Sequence, residues 1–368
     1  PRNAPVLVAA IRRGLPIFSE IEMAFRFLSV PVFAITGTNG KSTTTSLLGA
    51  MLRAAGRQPF VGGNLGTPLI HAVGQSIDCA VVEVSSFQLE WIEQFRPEIG
   101  VFLNLTADHL DRYASIEEYG EAKAALFREQ TVEDFAVLSR EDAWVWDLRN
   151  RLRGRVVSFG FEPVEFGAFP VNGSVAIRLP GASGEQLLSM ARTRLRGVHN
   201  LENVMAASLM AMLAGAPLVA VQEAVDEFPG LPHRVQLVRM KDGVSFVDDS
   251  KGTNVGAVAK SLASLSGPVI LLAGGVDKGG SYEPLRALVR ERVKCLILFG
   301  EARDNIRASL GGETQTVIAA DLEEAVEEAA VRAQAGDTVL LSPACASFDM
   351  FRDYAERGDR FRELVEAL

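Results

Sequence analysis

Residues 32–56 read VFAITGTNGKSTTTSLLGAMLRAAG, and this stretch predicts the fold of the region around it. An apolar run, VFAIT, is followed by a glycine-containing turn and then by a segment with helical spacing. Gly40, Lys41 and Ser42 stand where that helix begins, which is the context that a phosphate-binding loop requires. The ordinary loop pattern would place its first glycine at position 35, but Ile35 is there. The sequence therefore predicts ATP or GTP binding by a variant loop.

The predicted loop offers several kinds of phosphate contact. Backbone N–H groups and the helix N-terminus would hold phosphate oxygens. Lys41 would neutralise the β and γ phosphates, and the Ser42 hydroxyl would ligate Mg²⁺. The alternative is a glycine turn with a solvated lysine. The predicted nucleotide-binding residues of the loop are Gly37, Thr38, Asn39, Gly40, Lys41, Ser42 and Thr43.

Composition limits the class of protein. A chain of 368 residues, 48% hydrophobic and 23% charged, predicts a globular protein of two or three domains. The net charge of −9 argues against a general nucleic-acid or anionic-membrane surface, since those partners are met by clustered Lys and Arg. Apolar runs such as PVILLAGG are far shorter than the roughly 20 residues that cross a bilayer, and they suit buried parallel strands. We therefore expect neither nucleic-acid binding nor membrane insertion.

The three cysteines, Cys79, Cys295 and Cys345, lie far apart and show no C-x-x-C spacing. Neither a disulfide framework nor a zinc site is predicted, and a reducing cytoplasm is the expected location. The chain begins at Pro1 without a Met, and we expect it to be a piece of a longer protein.

The order of segments predicts two α/β regions. Strand candidates CAVVEVS (79–85) and IGVFLNL (99–105) alternate with helical segments, which indicates a parallel sheet. Short alternating runs in 155–190 are typical of antiparallel hairpins at a sheet edge. The turn PGLPHR (229–234) is predicted to be a hinge. After it, four apolar strands alternate with helices and predict a second α/β domain.

Three residues of the first region are candidates for metal chemistry. Glu83 ends a predicted parallel strand, which would deliver it to the same sheet edge as the phosphate loop; a solvated edge glutamate is the alternative. His109 follows the next strand in NLTADHLDRY, where it could be a ligand, a packing residue or a surface residue. Lys123, among Ala, Leu and Phe on a helix, is by itself typical of a lysine that reaches to solvent.

Polar side chains also collect in the later segments. Asn200 and Asn203 in HNLEN lie one helical turn apart and could offer amides to a base, although Asn200 could equally be a helix cap. The segments VDDSKGTN, AGGVDKGG and LSPACASFDMF each follow a predicted strand of the second domain. Their convergence on one sheet edge predicts a ligand site there.

Taken together, these motifs resemble the bacterial Mur ligases, which build the peptide stem of peptidoglycan. Thr36 to Ser42 reproduce the family's shortened loop T-G-[TS]-N-G-K-[ST]. EVSSFQLE (83–90), DHLDRY (108–113), GLPHR (230–234), DSKGTN (249–254) and SPACASFDMF (342–351) resemble the members that add D-glutamate. The resemblance runs over essentially the whole chain.

The resemblance implies a fold and three domains. The fold class is α/β, with a central P-loop-type, mostly parallel sheet domain and a C-terminal Rossmann-like domain. Residues 1–29 would be the remnant of an N-terminal, UDP-binding α/β domain, 30–230 the central ATP-binding domain, and 231–368 the amino-acid-binding domain.

The resemblance also implies a reaction, in which ATP activates UDP-N-acetylmuramoyl-L-alanine as an acyl phosphate and D-glutamate then attacks it. The expected cofactors are ATP and two Mg²⁺ ions, with Lys123 carbamylated, and the expected state is a monomer. The implied cation ligands are Ser42 and Glu83 for the first ion, and His109 and Lys123 for the second. The implied nucleotide contacts, beyond the loop, are Asn200, Asn203, His233, Arg234 and Asp249. The implied substrate contacts are Asn64, Ser85 and Gln88 for the muramoyl-alanine end, and Lys251, Thr253, Lys278 and Ser347 for glutamate.

Two alternative functions are compatible with a phosphate loop. A folylpolyglutamate synthetase-like ligase shares the ATP chemistry but predicts a pterin acceptor, which SSFQL and SPACASFDMF do not suit. A regulatory P-loop ATPase would need no glutamate site and would leave the polar loops of the second domain without a purpose.

Overall fold

The computed structural model describes residues 4–110, 112–195, 197–277 and 279–368. The chain divides into two compact units. The first consists of Pro1–Thr106 and Arg112–Pro229, and the second of Ala107–Asp111 and Gly230–Leu368. No helix in the described part of the chain is both long and apolar enough to span a membrane.

The first unit is built on a nine-stranded sheet with the strand order β2-β3-β1-β4-β5-β6-β7-β8-β9. In this order the strands from β2 to β7 are parallel, and β8 and β9 join as antiparallel strands at one edge. The hairpins predicted in 155–190 are confirmed for β7 to β9, whereas the first strand of that region, β6, is parallel to both neighbours. The strands are β1 (Val32–Thr36), β2 (Pro59–Gly63), β3 (Cys79–Glu83), β4 (Ile99–Phe102), β5 (Phe135–Ser139), β6 (Arg155–Phe159), β7 (Gly167–Val171), β8 (Ser174–Arg178) and β9 (Gln186–Ser189). The helices are α1 (Pro5–Arg12), α2 (Glu20–Phe25), α3 (Lys41–Ala54), α4 (Ser86–Leu89), α5 (Ile116–Ala124), α6 (Ala143–Asp147), α7 (Val198–Leu213) and α8 (Leu218–Glu227).

Strand β1 explains why this sheet is buried on both faces. Phe33 and Ile35 lie in a core cluster that contains residues of α3, α7 and α8, while Val32 and Ala34 lie in the cluster on the opposite face. Successive side chains of a strand point to opposite faces, so a strand with helices on both sides must be apolar throughout. The VFAIT run satisfies that requirement and positions the loop that follows it.

The second unit contains a six-stranded sheet with the order β10-β11-β15-β12-β13-β14, antiparallel only at the β10–β11 pair among the described strands. Helices cover both faces, and the α/β fold class is confirmed for both units. The strands are β10 (Gln236–Lys241), β11 (Val244–Asp248), β12 (Val269–Gly274), β13 (Val293–Phe299), β14 (Gln315–Ile318) and β15 (Thr338–Leu341). The helices are α9 (Val255–Ser264), α10 (Arg286–Arg292), α11 (Arg303–Leu310), α12 (Leu322–Arg332) and α13 (Tyr354–Ala367).

Strand β4 is shorter than the sequence predicts. The apolar pattern suggests a strand over 99–105, but β4 ends at Phe102. Two residues later the Asn104 side chain accepts a hydrogen bond from Asn39 N–H (2.9 Å) and donates one to Asn39 O (3.0 Å). The chain leaves the ladder there because Asn104 pairs with the loop after β1.

Candidate active site

The loop between β1 and α3 has the backbone shape of an anion cradle. Gly37 and Gly40 have φ angles of 147° and 87°, which favour glycine. A Cβ added to Gly40 would lie 2.3 Å from Asn203 Oδ1, so a side chain does not fit at that position. Helix α3 begins at Lys41, with no acidic residue in its first turn. The positive end of its helix dipole therefore favours a bound anion.

The Lys41 ammonium lies over this loop. Its Nζ donates to Gly37 O and to Thr38 O, both at 2.9 Å. Thr38 is fixed in turn, because its hydroxyl accepts from Thr106 N–H at 3.0 Å. Asn39 is held by Asn104, as described above. Asn104 and Thr106 were missed by the sequence analysis, although their position directly after a parallel strand was a usable signal.

Glu83 lies beside this loop, as the parallel arrangement predicts. Strands β1 and β3 are adjacent and parallel, and Glu83 is in register with Ile35. The Glu83 side chain is buried, and its Oε1 accepts from Asn64 Nδ2 at 2.8 Å. Gly63 permits this approach, since a Cβ there would lie 2.4 Å from Glu83 O. The prediction that the carboxylate reaches the same sheet edge as the phosphate loop is confirmed.

Lys123 is buried, which makes the interpretation of a lysine that reaches to solvent wrong. Its side chain is 1% exposed, and its Nζ donates to Gly37 O at 2.9 Å and lies 4.5 Å from the centroid of the Tyr119 ring. The local helical pattern could not predict this, because the inner face of α5 packs against the phosphate loop through tertiary contacts.

The oxygen ligands near the loop fit a hard cation. Ser42 and Glu83 are both buried in the first unit. The described residues contain no group of three or more His, Cys, Asp or Glu that could hold a metal by themselves. Mg²⁺ typically takes one or two protein ligands and completes its shell with phosphate oxygens and water. A hydroxyl and a carboxylate beside a phosphate cradle match that requirement.

The other predicted residues of the first unit form local networks. Ser85 and Gln88 make a capping box at the start of α4, with Gln88 N–H donating to Ser85 Oγ at 3.3 Å. Asn203 is buried at the phosphate loop, where its Oδ1 accepts from the Thr44 hydroxyl at 3.3 Å. Asn203 also donates to Asn200 Oδ1 at 3.4 Å, so the two amides are adjacent as their spacing predicts.

In the second unit, His233 is a buried member of a charged cluster. It has a φ of 61°, and its Nδ1 lies 2.7 Å from Asp248 Oδ2. Its Nε2 lies 3.8 Å from Asp359 Oδ1. A Cβ at Gly358 would lie 2.1 Å from His233 Nδ1, so α13 approaches the ring closely only because glycine stands there. These contacts give His233 a structural role in addition to any ligand that it meets.

Asp249 is similarly held by protein donors. Its Oδ2 accepts from the hydroxyls of Ser261 and Ser342, both at 2.6 Å, and its Oδ1 accepts from Val235 N–H at 3.3 Å. Burial raises the pKa of Asp249 to about 6, against the opposing effect of these hydrogen bonds and of the Arg234 charge. The carboxylate therefore joins β11, α9 and the end of β15.

The predicted glutamate contacts that the structure describes lie on two loops of the second unit. Lys251 Nζ is 3.6 Å from the centroid of the Tyr354 ring, and Thr253 N–H donates to Lys251 O at 2.8 Å. Ser347 is buried, and its carbonyl accepts from the N–H of Phe351 at 2.9 Å. Lys278, the fourth predicted contact, lies outside the described residues.

A residue missed by the sequence analysis joins these two loops. Arg357 is fully buried on α13, and its guanidinium donates to Ser250 Oγ (3.0 Å), Ser250 O (2.8 Å) and Cys345 O (3.3 Å). Burial lowers its pKa to about 10. The sequence gives no sign that this arginine is buried, because α13 contains many charged residues. Only the tertiary structure identifies the role of Arg357.

His109 also belongs to the second unit by its contacts. It has a φ of 56°, and its N–H donates to Asp108 Oδ1 at 2.9 Å. Asp108 Oδ2 in turn accepts from Asn254 Nδ2 at 3.2 Å. The side chain of His109 is about one third exposed, so the surface and ligand interpretations both remain compatible with its position.

Residues 35–211 match the Mur ligase middle domain, and residues 233–345 match the Mur ligase, glutamate ligase domain. The UDP-N-acetylmuramoylalanine–D-glutamate ligase of Geotalea daltonii is 50% identical over 368 residues, which cover 99% of this chain and 81% of that protein. The chain belongs to the Mur ligase family. The enzyme of the same name from Geobacter metallireducens is 49% identical over 371 residues, which cover 100% of this chain and 81% of that protein.

Solved Mur ligase structures share the fold at low identity. A pseudomurein peptide ligase type C from Methanothermus fervidus superposes with a TM-score of 0.72 at 18% identity, covering 99% of this chain and 84% of that chain. The MurF ligase from Thermotoga maritima in complex with ADP superposes with a TM-score of 0.67 at 20% identity, covering 94% and 82%. These likenesses support the Mur ligase fold of this chain.

Proposed function

We propose that this chain is an ATP-dependent ligase that joins D-glutamate to UDP-N-acetylmuramoyl-L-alanine in peptidoglycan precursor synthesis. The observation that carries the proposal is the sequence identity of 49–50% to ligases of that name over almost all of this chain. The same chain folds TGTNGKS into an anion cradle at the start of α3. The folylpolyglutamate synthetase-like and regulatory ATPase alternatives have no such support.

In the first unit, the phosphate loop binds the ATP phosphates. The N–H groups of the loop and of the first turn of α3 meet phosphate oxygens, and Lys41 is already held over the loop by two carbonyls. Ser42 and Glu83 would hold one Mg²⁺, which would screen the negative charges of the ATP phosphates and of the substrate carboxylate from each other. Asn200 and Asn203 contact the nucleotide, and Asn203 does so from beside the loop.

Lys123 and His109 would be the ligands of a second Mg²⁺, with Lys123 as a carbamate. Burial at 1% exposure and the contact with the phosphate loop support this assignment for Lys123, because a lysine there is shielded from solvent and close to the nucleotide. Carbamylation converts a cation into an oxygen ligand, which suits a hard metal ion. Incorporation of ¹³C-labelled bicarbonate, lost in a Lys123→Arg variant, tests the modification directly.

The reaction proceeds in two steps. The chain orients the terminal carboxylate of UDP-N-acetylmuramoyl-L-alanine, contacted by Asn64, Ser85 and Gln88, for transfer of the γ-phosphoryl group. The amine of D-glutamate then attacks the acyl phosphate, and phosphate leaves from the tetrahedral intermediate. The negative charges of ATP and of the two carboxylate-bearing substrates repel one another, and this repulsion is the main electrostatic barrier. The lysines of the site offset it.

In the second unit, three loops bind glutamate and one segment contacts the nucleotide. Lys251, Thr253, Lys278 and Ser347 hold the amino acid, and the cation–π contact between Lys251 and Tyr354 keeps that ammonium in place. Arg234 contacts phosphate, and His233 and Asp249 line the nucleotide site from their buried positions.

The remaining proposals concern the state of the protein. Residues 1–29, 30–230 and 231–368 correspond to the tail of a UDP-binding domain, the ATP-binding domain and the amino-acid-binding domain. We propose a cytoplasmic monomer. The three buried, unbridged cysteines are compatible with a reducing compartment.

The test is phosphate release from ATP in the presence of Mg²⁺ and UDP-N-acetylmuramoyl-L-alanine, with D-glutamate compared against L-glutamate. The 368-residue chain is assayed alone and with an N-terminal extension taken from the Geotalea daltonii relative. Release that requires both the nucleotide substrate and D-glutamate supports the proposal. Release that is indifferent to the amino acid in both forms contradicts it and favours an ATPase.

A further inference from the structure

A fully buried carboxylate on α2, that of Glu22, binds three successive backbone N–H groups of the first unit. Its oxygens accept from the N–H groups of Glu93 (3.0 Å), Gln94 (3.0 Å) and Phe95 (2.9 Å). Arg26, one helical turn later, donates to it from Nε at 2.8 Å. Burial by itself would raise the pKa of this carboxyl, but the donors outweigh it and hold the pKa of Glu22 below its ordinary value.

The three N–H groups need an acceptor at the point where they meet. Successive backbone N–H groups that converge in this way form an anion-binding concavity, and here a carboxylate of the same chain fills it. A buried N–H group that loses its acceptor costs free energy. Segment 93–95 therefore depends on the Glu22 carboxylate for its conformation.

This segment follows closely after α4, which α2 also holds by other contacts. Trp91 N–H donates to Gln88 O at 3.4 Å, and Trp91 O accepts from the N–H of Ser19, the residue before α2, at 2.8 Å. Leu89 of α4 and Ile21 of α2 belong to the same core cluster. The end of α4 is therefore fixed to α2 by hydrogen bonds and by shared apolar packing.

Helix α4 has little rigidity of its own, because it contains only four residues. The capping box of Ser85 and Gln88 fixes its first turn internally but does not attach that turn to the rest of the unit. An isolated helix of this length is not stable in water and takes its position from tertiary contacts. The anchoring at the end of α4 therefore determines where Ser85 and Gln88 lie.

We propose that Glu22 is a positioning residue for the muramoyl-alanine substrate, which holds the end of α4 in place and with it the side chains of Ser85 and Gln88. This role rests on the proposed function, in which these two residues contact that substrate. Glu22 itself touches no substrate in this scheme. Its effect should appear in the binding of UDP-N-acetylmuramoyl-L-alanine alone, because ATP and glutamate meet other residues.

The experiment measures KM for all three substrates in the form of the protein, with or without the N-terminal extension, that shows D-glutamate-dependent phosphate release. Glu22→Gln keeps the size of the side chain but turns a neutral amide towards the N–H groups. We expect KM for UDP-N-acetylmuramoyl-L-alanine to rise about 10-fold, the usual loss for one hydrogen bond to a charged group. KM for ATP and for D-glutamate should stay unchanged, and kcat should change less than the first KM. Hydrogen exchange of the amides at 91–95 should become faster.

Arg26→Gln is a milder variant that decides the question if Glu22→Gln does not fold. It removes the hydrogen bonds from Arg26 to Glu22 and to Glu93 Oε2, and it leaves the three N–H groups with their acceptor. The arginine side chain is 25% exposed, so its loss should cost less than the loss of the carboxylate. We expect KM for the same substrate to rise about 2- to 3-fold.

Asp134→Asn is the matched control, because Asp134 is also an almost fully buried carboxylate with a backbone N–H donor and an arginine donor. It accepts from Thr131 N–H at 2.7 Å and from Arg96 at 2.8 and 3.0 Å. It lies directly before β5, at the amino end of the parallel strands, whereas α4 follows the carboxyl end of β3. The control should lower the melting temperature and leave all three KM values unchanged.

The outcomes separate the role of Glu22 from the function on which it rests. A wild type that releases no phosphate in response to D-glutamate, in either form, would contradict the proposed function and the role of Glu22 with it. An active wild type with unchanged KM values in Glu22→Gln, or in Arg26→Gln where the first variant does not fold, would overturn the role of Glu22 alone. A rise in all three KM values, or an equal rise in Asp134→Asn, would also overturn it, since the effect would then be one of general stability.

Discussion

Glu83 and Asp249 occupy equivalent places in the two units and have different surroundings. Glu83 is the last residue of β3, Asp249 directly follows β11, and both are almost fully buried at the carboxyl end of a strand with parallel neighbours. Glu83 accepts from the amide of Asn64, an exposed residue. Asp249 accepts from two buried hydroxyls and a backbone N–H.

The difference shows that the role of a strand-end carboxylate, in ligand binding or in stability, follows from its hydrogen-bond donors and not from its position. An exposed amide can exchange its hydrogen bond with water or a ligand at little cost. Buried hydroxyls have no such alternative, and they need an acceptor in the folded chain. Glu83 therefore suits a cation, whereas much of the contribution of Asp249 goes to holding the second unit together.

The largest expected effect is on turnover, in the variant Glu83→Gln. The neutral amide fills the same space and can still bond with Asn64, but it supplies no charge to a cation. We expect D-glutamate-dependent phosphate release to fall roughly 10²- to 10³-fold, because charge stabilisation in a buried site is a large part of catalysis. Steady-state kinetics at saturating Mg²⁺ measures the loss, and the melting temperature should change little.

An opposite result would contradict the difference in role between Glu83 and Asp249. If Glu83→Gln turned over normally but melted at a much lower temperature, Glu83 would be a structural residue like Asp249. The corresponding Asn64→Ala variant should lower turnover less than Glu83→Gln does, because the carboxylate that it leaves is still charged.

The next largest effect is on the stability of the second unit. It is the difference in stability between the wild type and Asp249→Asn, and we expect this difference to depend on pH. The pKa of Asp249 is raised by burial to about 6, above its ordinary value of 3.8, so the folded state holds this proton more tightly than the unfolded state. The resulting stabilisation is complete below the unfolded pKa and is lost as the pH rises through the folded one. The wild type should lose about 3 kcal/mol relative to Asp249→Asn between roughly pH 4 and pH 6.

The measurement must report on the second unit. All three tryptophans, Trp91, Trp144 and Trp146, lie in the first unit, so their fluorescence is not suitable. Hydrogen exchange of the β11 and β15 amides, read by mass spectrometry at each pH, gives the local opening free energy. A difference between wild type and variant that is constant with pH would contradict the shifted titration.

The sequence predicted the parts of this comparison that depend on local pattern. The phosphate loop and the strand ends could be predicted because they depend on apolar runs and glycines that lie within a few residues of them. Glu83 was placed correctly because the carboxyl ends of parallel strands share an edge.

What the sequence could not predict depends on partners distant in the chain. The donors to Asp249, the burial of Lys123 under the phosphate loop and the loop contacts of Arg357 all join segments brought together only by packing. A lysine or arginine on a helix is usually solvated, so local pattern favours the wrong environment for both. The role of Lys278 remains a prediction from the sequence.

The smallest expected effect is in Ser342→Ala, which removes one of the two hydroxyl donors to Asp249. The hydrogen bond from Ser342 favours the charged carboxylate, so its loss should raise the pKa of Asp249 above the wild-type value and move the pH window upward. At neutral pH the opening free energy of β15 should fall by about 1 kcal/mol, the usual net contribution of such a bond. Ser261→Ala should shift the window equally, since its donor is at the same 2.6 Å distance. A shift in one variant without the other would mean that a single hydroxyl sets the titration, and Asp249 would then resemble Glu83, with one dominant donor and an oxygen available to a ligand.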